Sequence, residues 1–433
     1  MNRPGQNLLS RLNFSNNNRD KGVSHSPKGD YSTKFILGLL SQLNSGYLKM
    51  TLPDGQVNEF GNKADALQAD IQIFDWNVFK DLMSHGDIGF AESYIRGEWD
   101  SKDLKAILEL AIRNRTILEK AIYGSWFGSI LYRLKHWLRD NTKSGSRKNI
   151  HAHYDLGNAF YSLWLDPSMS YSSAWFSDDS KQTLANAQKA KIKRILSSLN
   201  TKLGDHILEI GCGWGGVMEE ALLSNRSITG LTLSTEQKVF AENRLQNLKA
   251  ISSNPNHFEV RLQDYRDCQE QFDGIASVEM FEAVGEKHWP EYFQTLAKCL
   301  KSSGKACIQT IVIADHLFER YRHSTDFIQQ YVFPGGMLPS RASFKAAANK
   351  AGLRIENEFA FGVDYAKTLC IWRDNFNQKL QEIRNLGFDE AFIRLWNFYL
   401  MYCAAGFAEH SIDVVQFTLS HSSSKASPDV LTA

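Results

Sequence analysis

At 433 residues the chain is long enough for two or three domains of ordinary size. Its 49 Lys and Arg stand against 48 Asp and Glu, a formal net charge of +1, so there is no bulk electrostatic case for a nucleic-acid partner. Six cysteines without C-x-x-C spacing argue against a zinc site or a disulfide framework and fit a reducing cytoplasm; the first twenty residues carry no signal pattern, and no early apolar stretch is long enough to span a bilayer.

Residues 1–30, rich in Asn, Ser, Gly and Arg without periodicity, read as a disordered tail. A small α+β domain is expected over 31–125. Its helices are read at Phe35–Leu43, Trp76–Ser84 and Leu104–Arg113, with a hairpin made by Gly46–Thr51 and Val57–Phe60 around Pro53-Asp54-Gly55. A basic amphipathic linker follows at 126–150. Phe127, Ile130, Leu131, Leu134 and Leu138 fall at helical spacing, and six Lys or Arg stand against Asp140 alone between Leu131 and Ile150. Such a segment can lie on an anionic membrane or pack on a neighbouring helix. Aromatic residues make up 12% of the chain, which serves either an aromatic core or a pocket for an apolar or cationic ligand.

The catalytic unit is expected over 151–420, followed by a tail, 421–433. An amphipathic stripe, Leu184, Ala187, Ile192, Ile195, Leu196 and Leu199, leads into the strand-like run His206–Ile210. Then comes the turn LEIGCGWGG, in which Gly211, Gly213 and Gly215 alternate around Cys212 before a helix at Val217–Leu223. Strand, glycine-rich turn and helix mark a nucleotide-type cofactor site, because glycine permits the tight turn and close approach to backbone N–H groups. Further strands at Ser227–Leu233, His257–Leu262 and Phe272–Val278 each end in a polar or aromatic cluster: TLSTEQ, QDYRD and EMFEAVG. Open α/β sheets bind ligands at such strand ends. An insertion rich in charge and aromatics, Ala314–Pro339, and a closing strand, Val414–Leu419, complete the domain.

The stretches HYDLGNAFYSLWLDPSMSYSSAW, LEIGCGWGG, GLTLSTEQ, LQDYRD, FDGIASVEMFEAVG, QQYVFPGGMLPS and CAAGFAEHSIDVVQFTL resemble, in the same order, the cyclopropane fatty acyl phospholipid synthases and mycolic acid cyclopropane synthases. The resemblance implies a class I (Rossmann-like) methyltransferase domain with helical additions, an accessory domain that contacts lipid or forms a homodimer, and S-adenosylmethionine as cofactor. Gly211, Cys212 and Gly213 would lie against the cofactor's amino acid portion. Thr232, Leu233 and Gln237 would line ribose and adenine, Asp264 and Tyr265 would flank the adenine, and Tyr171 and Ser172 would close over it.

The implied reaction places a methyl(ene) carbon on the double bond of an unsaturated phospholipid acyl chain. Addition leaves a carbocation that aromatic faces can stabilise and from which a base must take a proton. Loss from the new methyl closes a cyclopropane; loss from a neighbouring carbon leaves a branched chain. In the family a bound bicarbonate is that base, held by five positions. Glu282, Tyr365 and Cys403 match the pattern. Ser173 replaces a cysteine and Gln309 a histidine, and Ala283 replaces the histidine that usually follows the glutamate. Glu282 alone could act if its pKa is tuned. These departures leave a branched product beside cyclopropane, and a small-molecule N- or C-methyltransferase as the alternative. The expected setting is cytoplasmic, peripherally associated with the inner membrane face.

Overall fold

The computed structural model describes residues 30–122, 156–177, 182–251 and 257–422. The basic segment at 126–150, the beginning of the HYDLGN motif and almost all of both expected tails lie outside the described residues. The chain divides into two compact units: Met1–Gln188 with Ile313–Met337 and Phe361–Asp413, and Lys189–Val312 with Leu338–Ala360 and Val414–Ala433.

The first unit is mainly helical and carries a small sheet ordered β2-β1-β3-β4. Strands β1 (Tyr47–Thr51) and β2 (Val57–Gly61) form the expected antiparallel hairpin. Gly55 turns it at φ +84°, a conformation that suits glycine. Strand β3 (Gln68–Ile73) pairs parallel to β1, and the short β4 (Trp99–Asp100) closes the edge. Leu48, Met50, Ala69, Ile71 and Ile73 are buried.

The helix read at Trp76–Ser84 is present, and Gly86, with a non-helical φ of +61°, makes the kink that separates it from a second helical stretch running to Ile95. Helix Leu104–Arg113 has the expected bounds, with the Asp103 side chain accepting from Ala106 N at its start. Two long helices, Gly362–Gln378 and Glu390–Ala408, form the bulk of the unit's core. Arg394 ties the second of them to the N-terminal segment: its guanidinium donates to the carbonyls of Tyr94 and Trp99 and lies over the Tyr94 ring at 3.9 Å.

The second unit is a seven-stranded sheet ordered β10-β11-β9-β8-β5-β6-β7. Its strands are β5 (His206–Ile210), β6 (Ser227–Thr232), β7 (Phe258–Leu262), β8 (Phe272–Val278), β9 (Leu300–Ile313), β10 (Leu353–Ala360) and β11 (Ile412–His421). β5 through β9 pair in parallel, and β10 pairs antiparallel to β11. Parallel strands need both faces covered. Helix Leu184–Ser198 supplies Ile192, Ile195, Leu196 and Leu199 to one cluster with Ile207, Met218, Ile228, Val260 and Ala276. The chain leaves β5 toward β6 and β7 and returns to β8 on β5's other side. The strand order therefore reverses between β5 and β8, the place where such sheets open a ligand crevice.

Among the described residues no helix is long and apolar enough to cross a membrane.

Candidate active site

The glycine turn leaves β5 at that reversal. Gly211, Gly213 and Gly215 have φ +82°, +50° and +82°. Side chains resist this region, so the alternation of glycines is a requirement of the backbone path. Gly211 also has no room: a Cβ there would stand 2.9 Å from Met280 Cγ, in the loop after β8. A Cβ on Gly213 would meet nothing within 4 Å, so that side of the turn opens onto space. The turn is pinned by Gly211 N and Cys212 N, which donate to Leu231 O at 3.0 and 2.9 Å. The Cys212 side chain is buried among core residues, leaving its main chain as the part a ligand could meet. Glu209, just before the turn, is buried and pushed up to about 8 by that burial, against the pull of the Lys191 ammonium.

At the end of β6, Thr232 Oγ1 donates to Gln237 Oε1 at 2.9 Å, both residues being buried, with Leu233 half-buried between them in sequence. Helix Thr235–Ile251 begins here with Gln237 N donating to Ser234 Oγ. After β7, Asp264 is buried and clasped by Arg266, whose Nε and a terminal guanidinium nitrogen reach its two oxygens at 2.8 and 2.7 Å. Tyr265 beside it packs edge-on against Tyr292, and burial holds its phenol well above the usual range.

The loop after β8 carries two carboxylates, and β9 holds both. Glu282 Oε1 accepts from Thr310 Oγ1 at 3.0 Å and from Ile311 N. Its Oε2 is buried and has no hydrogen-bond partner. Burial first, and then the charge of Glu279, push this carboxyl up to about 8. Glu279 has φ +48°. Its N–H donates to Gln309 O at 2.8 Å, and its Oε1 accepts from Gln309 Nε2 at 2.7 Å. Gln309 is fully buried, and its Oε1 accepts from Gln416 Nε2 on β11 at 3.0 Å. Ala283 is exposed on the same short turn.

The remaining expected residues belong to the helical unit. Tyr171 OH and Tyr399 OH share a hydrogen bond of 2.7 Å. Ser172 is buried, and its carbonyl accepts from Gln188 Nε2 at 2.8 Å. Ser173 is fully buried and donates to Ala174 O at 2.9 Å. Ala174 N and Phe176 N donate to Thr368 Oγ1 and Asp364 Oδ2, which seats this segment on helix Gly362–Gln378. Tyr365 of that helix lies 4.4 Å from the Phe407 ring and 6.1 Å from Trp372, which also packs on Tyr171 at 5.5 Å. Cys403 stands on helix Glu390–Ala408; burial, then the charge of Asp326, raise its thiol well above the usual range.

The unit thus gathers Tyr171, Tyr365 and Cys403 around an aromatic group that includes Tyr399, a residue the sequence motifs did not single out. In the sheet unit, Glu279, Thr310 and Gln416 were likewise missed. Glu279 stands inside the motif EMFEAVG and could have been weighed as a second carboxylate; Thr310 and Gln416 carry no local signal.

The family model for mycolic acid cyclopropane synthetase matches residues 141–417. The chain is 39% identical over 353 residues to tuberculostearic acid methyltransferase UfaA1 of Mycobacterium tuberculosis, covering 77% of this chain and 79% of that one. It is 33% identical to the cyclopropane-fatty-acyl-phospholipid synthase of Escherichia coli, covering 81% and 88%. Among solved structures, the mycolic acid cyclopropane synthase CmaA1 complexed with SAH and CTAB matches with a TM-score of 0.58 at 32% identity, covering 63% of this chain and 97% of that one.

Proposed function

The chain belongs to the mycolic acid cyclopropane synthetase family, and on that premise we propose that it methylates the double bond of unsaturated phospholipid acyl chains and releases a methyl-branched chain. It is an S-adenosylmethionine-dependent methyltransferase. The observation that carries the reading is the Glu282 carboxyl: fixed through one oxygen, buried and unpartnered at the other, in the turn that follows β8, the strand paired with β5 before the glycine turn.

The residues present fit the cofactor. The open side of Gly213, the buried Thr232–Gln237 pair and the Asp264–Tyr265 corner stand at the carboxyl ends of three adjacent parallel strands. When bound, S-adenosylmethionine supplies an electrophilic methyl group. The chain's own residues then do three things. The turn and strand ends orient the donor. Aromatic side chains exclude water and offer π-faces to positive charge on the acyl chain. Glu282 Oε2 receives or passes the proton that the cation must lose.

The positions implied to hold bicarbonate fit that ion poorly: the Gln309 amide is spent on Glu279 and Gln416, and Ser173 Oγ on Ala174 O. The branched product is favoured over cyclopropane by the higher identity to a methyltransferase than to a ring-forming synthase. The basic stretch at 126–150 would bring the enzyme to an anionic membrane surface.

Labelled methyl donor and vesicles of monounsaturated phospholipid test the reading. We expect label in lipid, with methyl-branch and vinylic signals in the proton spectrum. High-field ring protons would transfer the reading to cyclopropane, and an unlabelled lipid fraction would overturn it.

A further inference from the structure

Three consecutive residues of β9 hold two carboxyl groups that come from one short turn. Gln309 takes Glu279 by main chain and side chain, and Thr310 and Ile311 take Glu282. The two acids are therefore spaced by a single strand. Glu279 also occupies a left-handed backbone conformation that an L-residue with a long side chain rarely adopts. Its surroundings over-determine it, and residues held in this way concentrate at sites where the strain has a use.

The Gln309 amide favours Glu282 over Glu279 as the acid that carries the proton. Gln416 Nε2 donates to Gln309 Oε1, so the Gln309 NH₂ must face Glu279 and can only donate. Glu279 therefore presents an acceptor oxygen there, which a carboxylate offers from both oxygens and a protonated carboxyl from its carbonyl oxygen, and the amide donation favours the charged form. An amide cannot titrate, so Gln309 neither supplies nor takes a proton from the pair. Two carboxylates in one low-dielectric site cannot both ionise cheaply, and Glu282 has its second oxygen buried and unpartnered. Glu282 is the member left to hold the proton.

We propose that Glu279 is a positioning residue for the methylation: clamped by Gln309 on Gln416, its carboxylate makes the neighbouring Glu282 the member of the pair that takes up the proton. The proposal rests on the reading of Glu282 as the proton-handling group. Among the described residues, the ionisable groups whose charge is linked to Glu282 are Glu279 and the Tyr292 phenol, which burial keeps protonated; the β9 segment 309–311 brings none.

The test compares wild type, Glu279→Gln and Glu279→Gly, the last because glycine suits the backbone at φ +48°. Cofactor binding by calorimetry comes first and should differ by less than about threefold among the three, since none of the changes touches the strand ends assigned to the cofactor. Methyl transfer is then followed from pH 6 to 9. Removing the Glu279 charge makes Glu282 easier to ionise, so its limb of the rate profile moves down by about one pH unit whichever protonation state is active.

The protonated-carboxyl infrared band that Glu282→Gln deletes reports the same titration without turnover, and it too should move down in both Glu279 variants. Superimposable rate profiles or an unmoved band overturns the proposal. A wild type that binds cofactor and labels no lipid overturns the assigned reaction instead, while the infrared titration still decides whether Glu279 sets the proton on Glu282.

Discussion

In the sheet unit, each group of interest stands within a few residues of the strand that aims it: the Gly211 main chain after β5, and the side chains of Gln237 after β6, Asp264 after β7 and Glu282 after β8. In the helical unit, Tyr171, Tyr365, Tyr399 and Cys403 come from a loop and two long helices, and they meet only because those helices pack together. The first arrangement is set by main-chain turns and hydrogen bonds, the second by aromatic packing. A methyl donor of fixed shape suits the first; an acyl chain and the charge that develops on it suit the second. Replacing polar atoms should therefore cost most in the sheet unit, and small polar changes in the helical unit should be tolerated.

The largest effect is expected at Glu282. Glu282→Gln keeps the size and the acceptor oxygen for Thr310 and Ile311 but removes the proton site. Turnover should fall by about 10²- to 10⁴-fold, the usual range for a positioned acid or base, with cofactor affinity unchanged by calorimetry. Unchanged turnover would strip Glu282 of its role and collapse the contrast between the units.

The glycine turn separates strain from contact. Gly211→Ala places a Cβ at φ +82°, 2.9 Å from Met280 Cγ. It should lower stability by roughly 1–2 kcal/mol and weaken cofactor binding by about tenfold. Gly213→Ala meets no protein atom within 4 Å, so only the backbone penalty acts on the protein alone. An affinity loss larger than its stability loss would mark that open side as the cofactor's place; equal losses would mean the turn is structural there.

What could be read from the sequence follows the same division. The alternating glycines, the strand at Phe272–Val278 and the helix at Leu104–Arg113 were legible because each depends on neighbours in sequence. The helix stop expected near Ser84 was legible because Gly86, a breaker by propensity, takes a non-helical positive φ; the second helical stretch from there to Ile95 carried no such local signal. β3 escaped notice because its partner β1 is parallel and lies across a connection. The Glu279–Gln309–Gln416 chain spans three strands whose adjacency is a matter of topology; no spacing along the sequence announces it.

A pH experiment distinguishes the units again. In the helical unit, Asp87 accepts from Tyr402 OH at 2.9 Å, and burial with the charge of Asp326 pushes it up to about 7. A carboxyl raised in the folded state binds its proton more tightly there than when unfolded. Its contribution to stability is therefore whole below about pH 4 and is lost as pH rises to about 7. Because Asp87 keeps partial exposure, the loss should be about 1–2 kcal/mol, less than the full shift implies. Asp87→Asn should flatten the fall in melting temperature between pH 5 and 8. A mutant whose pH curve runs parallel to wild type would remove Asp87 from this account, leaving Asp326, raised to about 6, as the next group to test.

The smallest effect is expected at Cys403. Burial raises its thiol, and the Asp326 charge raises it further, so the group stays protonated across the working range and cannot serve as a thiolate nucleophile or base. What it can offer is a weak S–H donor and a small buried volume. Cys403→Ser keeps a donor of similar shape, so turnover should change by less than about threefold, and iodoacetamide at pH 8 should leave Cys403 of the wild type unmodified by peptide mass. Rapid alkylation with loss of turnover would mean that a thiolate is reachable on helix Glu390–Ala408. The helical unit would then contribute an ionised group of its own, and the division between a polar, proton-handling sheet unit and an aromatic helical unit would not hold.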